Sequence, residues 1–296
     1  MEVGVIIHNA GDKASPENLV KTARWAEELG YHSIWLTDHV VLKEEVNSWY
    51  PYRTHGRWDY PPDTKWIDPL LTLAWAGAAA PTLKLGTSVL VVPLRNPILL
   101  AKQLASLDFL TGGRVILGAG AGWMAEEFDL IGQDFANRGR RVVEMVELMR
   151  QLWRGEMVYF QGEFYQLPGG QMQPTPVRKT IPIVWGGHSD AAIRRAARVG
   201  DGWHPTQITL AELEAGVKKL RQYCEEYGRD PASTLVIARP GDKYDITPEA
   251  HAKHLELGIN HLVVDTPIKQ EDPDLSLLRE KMERAAEVCG LTPRQS

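Results

Sequence analysis

The chain has 296 residues, 44% of them apolar, with a net charge of -5 and a pI near 6.0. It can therefore bury a core without disulfides or metals, and its acidic balance argues against nucleic acid as the main partner. Cys224 and Cys289 are too few and too isolated for a disulfide framework or a zinc site, and no run approaches the ~18 apolar residues of a membrane span.

The opening MEVGVIIHNAG lacks the basic start and long apolar run of a signal peptide, so a cytoplasmic protein is expected. Val3–Ile7 reads as a buried parallel strand. Ser15-Pro16-Glu17 supplies an N-cap, a first-turn proline and a first-turn acid for a helix to Glu28, with Gly30 closing it. Ser33–Leu36 is a second strand, ending in Thr37-Asp38-His39. Residues 37–67 form a long loop carrying Trp49, Tyr50, Tyr52, Trp58, Tyr60 and Trp66. So many aromatic residues argue for a functional lid rather than disorder.

From Asp68 to Phe128 the pattern repeats twice. A helix leads into LGTSVLVV, and a second helix, Pro97–Leu110, leads into the glycine-ended VILGAGAG. A helix over Arg138–Trp153 follows, then a segment, 155–180, in which MVYFQGEFYQL alternates like a hairpin. The remaining strands fall at Ile181–Trp185, Gly202–His204, Leu235–Arg239 and His261–Asp265. Helices follow them at Asp190–Val199, Leu210–Tyr227, Pro248–Leu257 and Leu275–Cys289. Eight alternations predict one domain over 1–296, an α/β (β/α)8 TIM-like barrel rather than an open doubly wound sheet. Both insertions, 37–67 and 155–180, are expected over the C-terminal mouth.

Asp38 and His39 end a strand and so point at that mouth. They suit a polar pair at a reacting centre, and equally a loop cap beside a structural histidine. Gly118, Gly120 and Gly122 lack the downstream acid of a dinucleotide fingerprint and fit better as a glycine wall against a flat ring. Gly186-Gly187-His188-Ser189 precedes a helix, giving either an anion site or an ordinary turn capped by Ser189. Arg194 and Arg195 along that helix read as solvated. His251 and His254 share a helix face but have no third ligand, so no metal is expected. With no nucleophile elbow or paired reactive cysteine, a bound organic cofactor would carry the difficult chemistry.

At Leu36–His39, Tyr50–Tyr52, LGTSVLVVPLRNP, LDFLTGGRVILGAGAGW and PIVWGGHSDAAIRRAARVGDGWHP the chain resembles the luciferase-like family of flavin and deazaflavin oxidoreductases. The likeness spans essentially the whole length and is greatest to the coenzyme F420-dependent branch. It implies a ring lying in the barrel mouth against Thr87, Ser88 and Val89, with a non-prolyl cis peptide at Ser88–Val89 or Thr87–Ser88. It also implies His39 as proton donor or acceptor, and Asp38 orienting His39 or the cofactor. Gly120, Ala121 and Gly122 would form a wall, and Gly186, Gly187, His188 and Ser189 the cofactor phosphate site. Lys43, Arg53, Arg57 and Arg95 are candidates for the cofactor's acidic tail.

One departure bears on substrate. Sugar-phosphate dehydrogenases of this family carry a catalytic glutamate where this chain has Trp123, with Glu126 and Glu127 displaced further along. Together with Trp49 and Tyr52, Trp123 suggests a pocket for a planar or apolar molecule. The expected function is hydride transfer between coenzyme F420 and a small organic substrate. The alternatives are an FMN-dependent monooxygenase using reduced flavin and oxygen, and a non-catalytic flavin-binding protein. Expected partners are a second copy of the chain, docked through outer helices including 69–80, and a cofactor-reducing enzyme.

Overall fold

Three helix starts repeat one device. Ser15, Asp68 and Asn96 each accept hydrogen bonds from the backbone N–H groups of the following turn, and a proline occupies the first helical position after each. These caps begin α1 (Pro16–Glu28), α2 (Pro69–Ala79) and α3 (Pro97–Leu110). A computed structural model describes residues 1–265, 272 and 274–294. Its first strands are β1 (Glu2–Ile6), β2 (Ser33–Leu36), β3 (Lys84–Thr87), β4 (Leu90–Val91) and β5 (Val115–Gly120). After α4 (Ala125–Leu130) and α5 (Arg138–Trp153) come the hairpin strands β6 (Val158–Gln161) and β7 (Gln166–Gly170). The chain then alternates through β8 (Ile183–Gly186), α6 (Asp190–Val199), β9 (Gly202–His204), α7 (Leu210–Glu226), β10 (Leu235–Ala238), α8 (Pro248–Glu256), β11 (His261–Val264) and α9 (Ser276–Val288).

β1, β2, β3, β5, β8, β9, β10 and β11 form a closed parallel barrel, sealed where Leu85 of β3 pairs with Val115 of β5. This is the architecture that the alternation predicts. Every barrel strand is buried on both faces, so its residues are mostly apolar without alternation, with Ser33, Thr87, His204 and His261 as buried polar exceptions. Inside the barrel Ile6, Trp35, Ile116, Val184, Ile237 and Val263 pack together, while a larger core fills the space between strands and helices.

The long loop 37–67 returns to the mouth. Asn9 at the end of the first strand donates to Thr37 O at 2.8 Å and Ile67 O at 2.7 Å, drawing the two ends of the loop together. Trp66 then bridges Ala10.

The hairpin contradicts expectation in its location. It forms as read, but it leaves the end of α5 and enters β8, so it belongs to a helix-to-strand connection on the opposite side from the mouth. Val177 N–H donates to Asp108 Oδ2 at 2.9 Å, and Asp108 also accepts from Val115 at the start of β5. The hairpin turn lies against α5, where Glu144 accepts from the N–H groups of Glu163, Phe164 and Tyr165. In a barrel the direction of the preceding element decides which end a connection occupies, and α5 runs away from the mouth.

Candidate functional site

The stretch LGTSVLVV is not one strand. It breaks between β3 and β4 at a cis Ser88–Val89 peptide bond, the first of the two positions the resemblance implies. The surroundings are shaped to this bulge. A Cβ on Gly118 would lie 1.8 Å from Thr87 O, and one on Gly120 or Gly186 would lie 2.6 or 2.9 Å from Val89 methyl carbons. Gly120 and Gly186 therefore make room for the bulge, which stands between them and the cavity.

Ser88 is held by side chains from two other strands. His204 on β9 is fully buried; its Nδ1 lies 2.6 Å from Ile237 O and its Nε2 lies 2.8 Å from Ser88 Oγ. Nδ1 must donate to the carbonyl, so Nε2 accepts from the serine hydroxyl. Burial pushes the His204 pKa down to about 3, which keeps the ring neutral. Arg239, just beyond β10, donates to Ser88 O at 3.1 Å and Ser88 Oγ at 3.2 Å. Its guanidinium pairs with Asp265 at 2.6 Å. Burial opposes that charge, but the carboxylate outweighs it and raises the Arg239 pKa.

A cavity of about 910 Å³ opens above the bulge, with His39, Trp58, Trp66, Trp123, Val89 and Arg239 in its lining. His39 is boxed by indoles, with Trp58, Trp66 and Trp123 centroids at 4.7, 4.6 and 6.2 Å. Its Nδ1 lies 3.1 Å from Glu127 Oε2 on α4. Glu127 is 2% exposed, and its other oxygen accepts from Val40 N–H at 2.5 Å. Glu126 accepts from Asn47 and Ser48 N–H at 2.7 and 3.0 Å. Burial raises the Glu126 pKa, yet the bonds from Ser48 and Asn47 outweigh it and lower the pKa overall.

The expected residues divide. Ser88, Val89, Tyr52, Trp123, Asp38 and His39 line the cavity. Trp49 does not: it is 66% exposed and covers Gly56, whose Cβ would lie 2.2 Å from its ring. Asp38 does not orient His39. Its carboxylate grips Arg95 at 2.7 and 2.8 Å and accepts from Val91 N–H at 2.8 Å. Arg95 is thereby committed to that pair and is not free for an acidic tail. Lys43 and Arg57 lie outside the cavity lining, while Arg53 sits on its rim, 3.8 Å from Asp242. Thr87 turns inward, its hydroxyl donating to Gly118 O at 2.9 Å.

Ala121, Gly122, Gly187, His188 and Ser189 also lie outside the lining. Gly122 packs on Phe128. Ser189 caps α6 by accepting from Ala192 N–H. His188, near Tyr52 at 5.9 Å, has its pKa lowered by burial. Sequence reading missed Glu127, His204 and Arg239. The pair Glu126-Glu127 was visible, but nothing local connects it to a histidine 88 positions earlier.

An aromatic-walled cavity of this volume, opening on a backbone bulge and flanked by a fixed cation, fits a planar cofactor with a small substrate beside it. The chain matches the family described as luciferase-like monooxygenase over residues 1–255. It is 37% identical over 227 residues to the uncharacterized protein Rv0940c of Mycobacterium tuberculosis, covering 76% of this chain and 78% of that one. It is 30% identical over 305 residues to a Kineococcus radiotolerans protein named F420-dependent glucose-6-phosphate dehydrogenase, covering 95% and 85% of the two chains. Among solved structures, an F420-dependent secondary alcohol dehydrogenase in complex with an F420-acetone adduct shares the fold. The TM-score is 0.76 at 18% identity, over 97% of this chain and 98% of that one.

Proposed function

Because the chain belongs to the luciferase-like monooxygenase family, we propose that it is an oxidoreductase that uses coenzyme F420 on a small planar or apolar substrate. The observation that carries this reading is His39, walled by three indoles at a cavity that opens on the Ser88–Val89 bulge. The name of the Kineococcus relative supports the choice of cofactor. When bound, the deazaflavin supplies the carbon that gives or takes a hydride.

The protein's own part is to bind, orient and exclude water. Ser88 and Val89 present a rigid floor, with Arg239 of the cavity lining fixing Ser88. The indoles of Trp58, Trp66 and Trp123 offer stacking faces and a dry wall. His39, in the cavity lining, is the side chain that gives or takes a proton there. Trp123 stands in place of a carboxylate near the substrate, so the reading parts from a sugar phosphate and favours an apolar molecule.

Titrating the purified protein with F420 and with FMN, followed by fluorescence, tests the cofactor. F420 is expected to bind at least about tenfold more tightly than FMN, a difference of roughly 1.4 kcal/mol. Tight binding of FMN alone would overturn the reading in favour of an oxygen-using monooxygenase. Binding of neither would leave a non-catalytic protein.

We also propose a homodimer through α2 and α3. Leu71 and Trp75 on α2 and Leu99 on α3 are 71%, 59% and 65% exposed, an apolar surface on two helices that touch. Light scattering at micromolar concentration should give twice the 33.2 kDa chain mass. The double change Leu71→Glu with Leu99→Glu should reduce it to the mass of one chain.

A further inference from the structure

The lid root, the histidine and α4 meet at one carboxylate. Glu127 is 2% exposed and uses both oxygens: Oε2 faces His39 Nδ1 at 3.1 Å, and Oε1 takes the N–H of Val40 at 2.5 Å. Val41 N–H adds a longer contact at 3.4 Å. Its neighbour Glu126 takes Asn47 and Ser48 N–H, and Ser48 Oγ in turn accepts from Ala125 N–H at 2.9 Å. The first turn of α4 thus clamps the lid at two places, and only one of them reaches the histidine.

We propose that Glu127 is the positioning residue of His39, holding the proton at Nδ1 and leaving Nε2 as the nitrogen that exchanges a proton in the cavity. The inference rests on the proposed role of His39 and adds the group that sets its tautomer. A carboxylate can only accept, so the ring nitrogen facing it must carry the hydrogen. The ring cannot swing away, because Trp58, Trp66 and Trp123 close on its faces and edge. Glu127 binds the residue after His39 with its other oxygen, so the tautomer and the closure of residues 39–41 depend on the same side chain. Glu126 latches residues 47 and 48 without touching the imidazole.

The replacement Glu127→Gln separates these roles. An amide has one acceptor oxygen, and the short bond from Val40 N–H claims it. The amide NH2 then faces His39 Nδ1, which must become an acceptor, and the proton moves to Nε2. Long-range 1H–15N NMR of the imidazole signals, recorded at pH 8 and assigned with His39→Asn, reads the tautomer directly and needs no substrate. The expected result is Nδ1–H in the native protein and a shift in tautomer ratio of at least about tenfold toward Nε2–H in Glu127→Gln, the worth of one charge-assisted hydrogen bond. Glu126→Gln should leave the His39 signals unchanged.

An Nε2–H tautomer in the native protein, or unchanged signals in Glu127→Gln, would overturn the proposal. If Glu127→Gln failed to fold, the native tautomer and the Glu126→Gln spectrum would still decide it. F420 binding, measured on the same samples, keeps the two readings apart. A tautomer reversal in a protein that ignores F420 would sustain the positioning role and sink the cofactor assignment.

Discussion

Replacing Asp38 with alanine is expected to destabilise the protein by about 3–5 kcal/mol, because it takes from a largely buried guanidinium its two-pronged partner and leaves Asp68, at 3.4 Å, as its one carboxylate. The Asp38 carboxylate is fully buried and Arg95 is 13% exposed, with both guanidinium nitrogens bonded to it. The change also leaves Val91 N–H without its acceptor just past the bulge. At roughly 2–4 °C per kcal/mol for a domain of this size, the melting temperature should fall by about 6–20 °C. The double replacement Asp38→Leu with Arg95→Met should recover most of that loss, since an apolar pair of similar volume is often no worse than a buried ion pair. Thermal melts of the two variants beside the native protein measure both the loss and its recovery. A single mutant that melts like the native protein while His39 signals move would show instead that Asp38 acts on the histidine.

Acidification is expected to unfold the protein through its buried histidines. Burial pushes the His204 pKa down to about 3 and that of His254 to about 4, against an ordinary imidazole value of 6.5. His254 Nε2 also shares a hydrogen bond with Tyr244 OH at 2.7 Å, which places it in a structural role. Between the folded and unfolded values the unfolded chain binds a proton that the folded chain refuses. Unfolding free energy therefore rises with pH in that window and falls as pH drops from 6.5, by up to about 1.4 kcal/mol per pH unit for each histidine. The stability is fully present above pH 6.5 and is lost toward pH 3 for His204. Denaturant melts from pH 7 to pH 4 should show it. In His204→Gln the slope should fall by about one proton relative to the native protein, although stability at pH 7 is lower because the Ser88 contact is altered. An unchanged slope would mean that His204 accepts a proton while folded.

The hairpin and the lid show where local reading stops. Alternation in MVYFQGEFYQL gave the hairpin itself, since strand periodicity is set within a few residues. Its location followed from the direction of α5, which the same residues do not encode. The aromatic content of 37–67 pointed to an ordered loop, and five of its aromatic residues line the cavity. Which aromatics face inward depended on anchors at Asn9, Glu126 and Glu127, so Trp58 and Trp66 enter the cavity wall while Trp49 stays outside.

The sequence by itself determined the barrel. Ser15, Asp68 and Asn96 satisfy N–H groups two or three residues away, and Gly30 turns the chain at φ 84°, so each unit is written in its own residues. The family likeness placed His39 and narrowed the bulge to Ser88–Val89 or Thr87–Ser88, and the structure chose the first. Only the closed barrel decided what touches them. Glu127 is 88 positions from His39, Arg95 is 57 from Asp38, His204 is 116 from Ser88 and Arg239 is 151 from it. Each of these contacts joins side chains at the ends of different strands or of the loops beyond them. They meet only after the register of parallel pairs and the closure of β3 on β5 bring those ends to one rim, and no short-range signal carries that geometry.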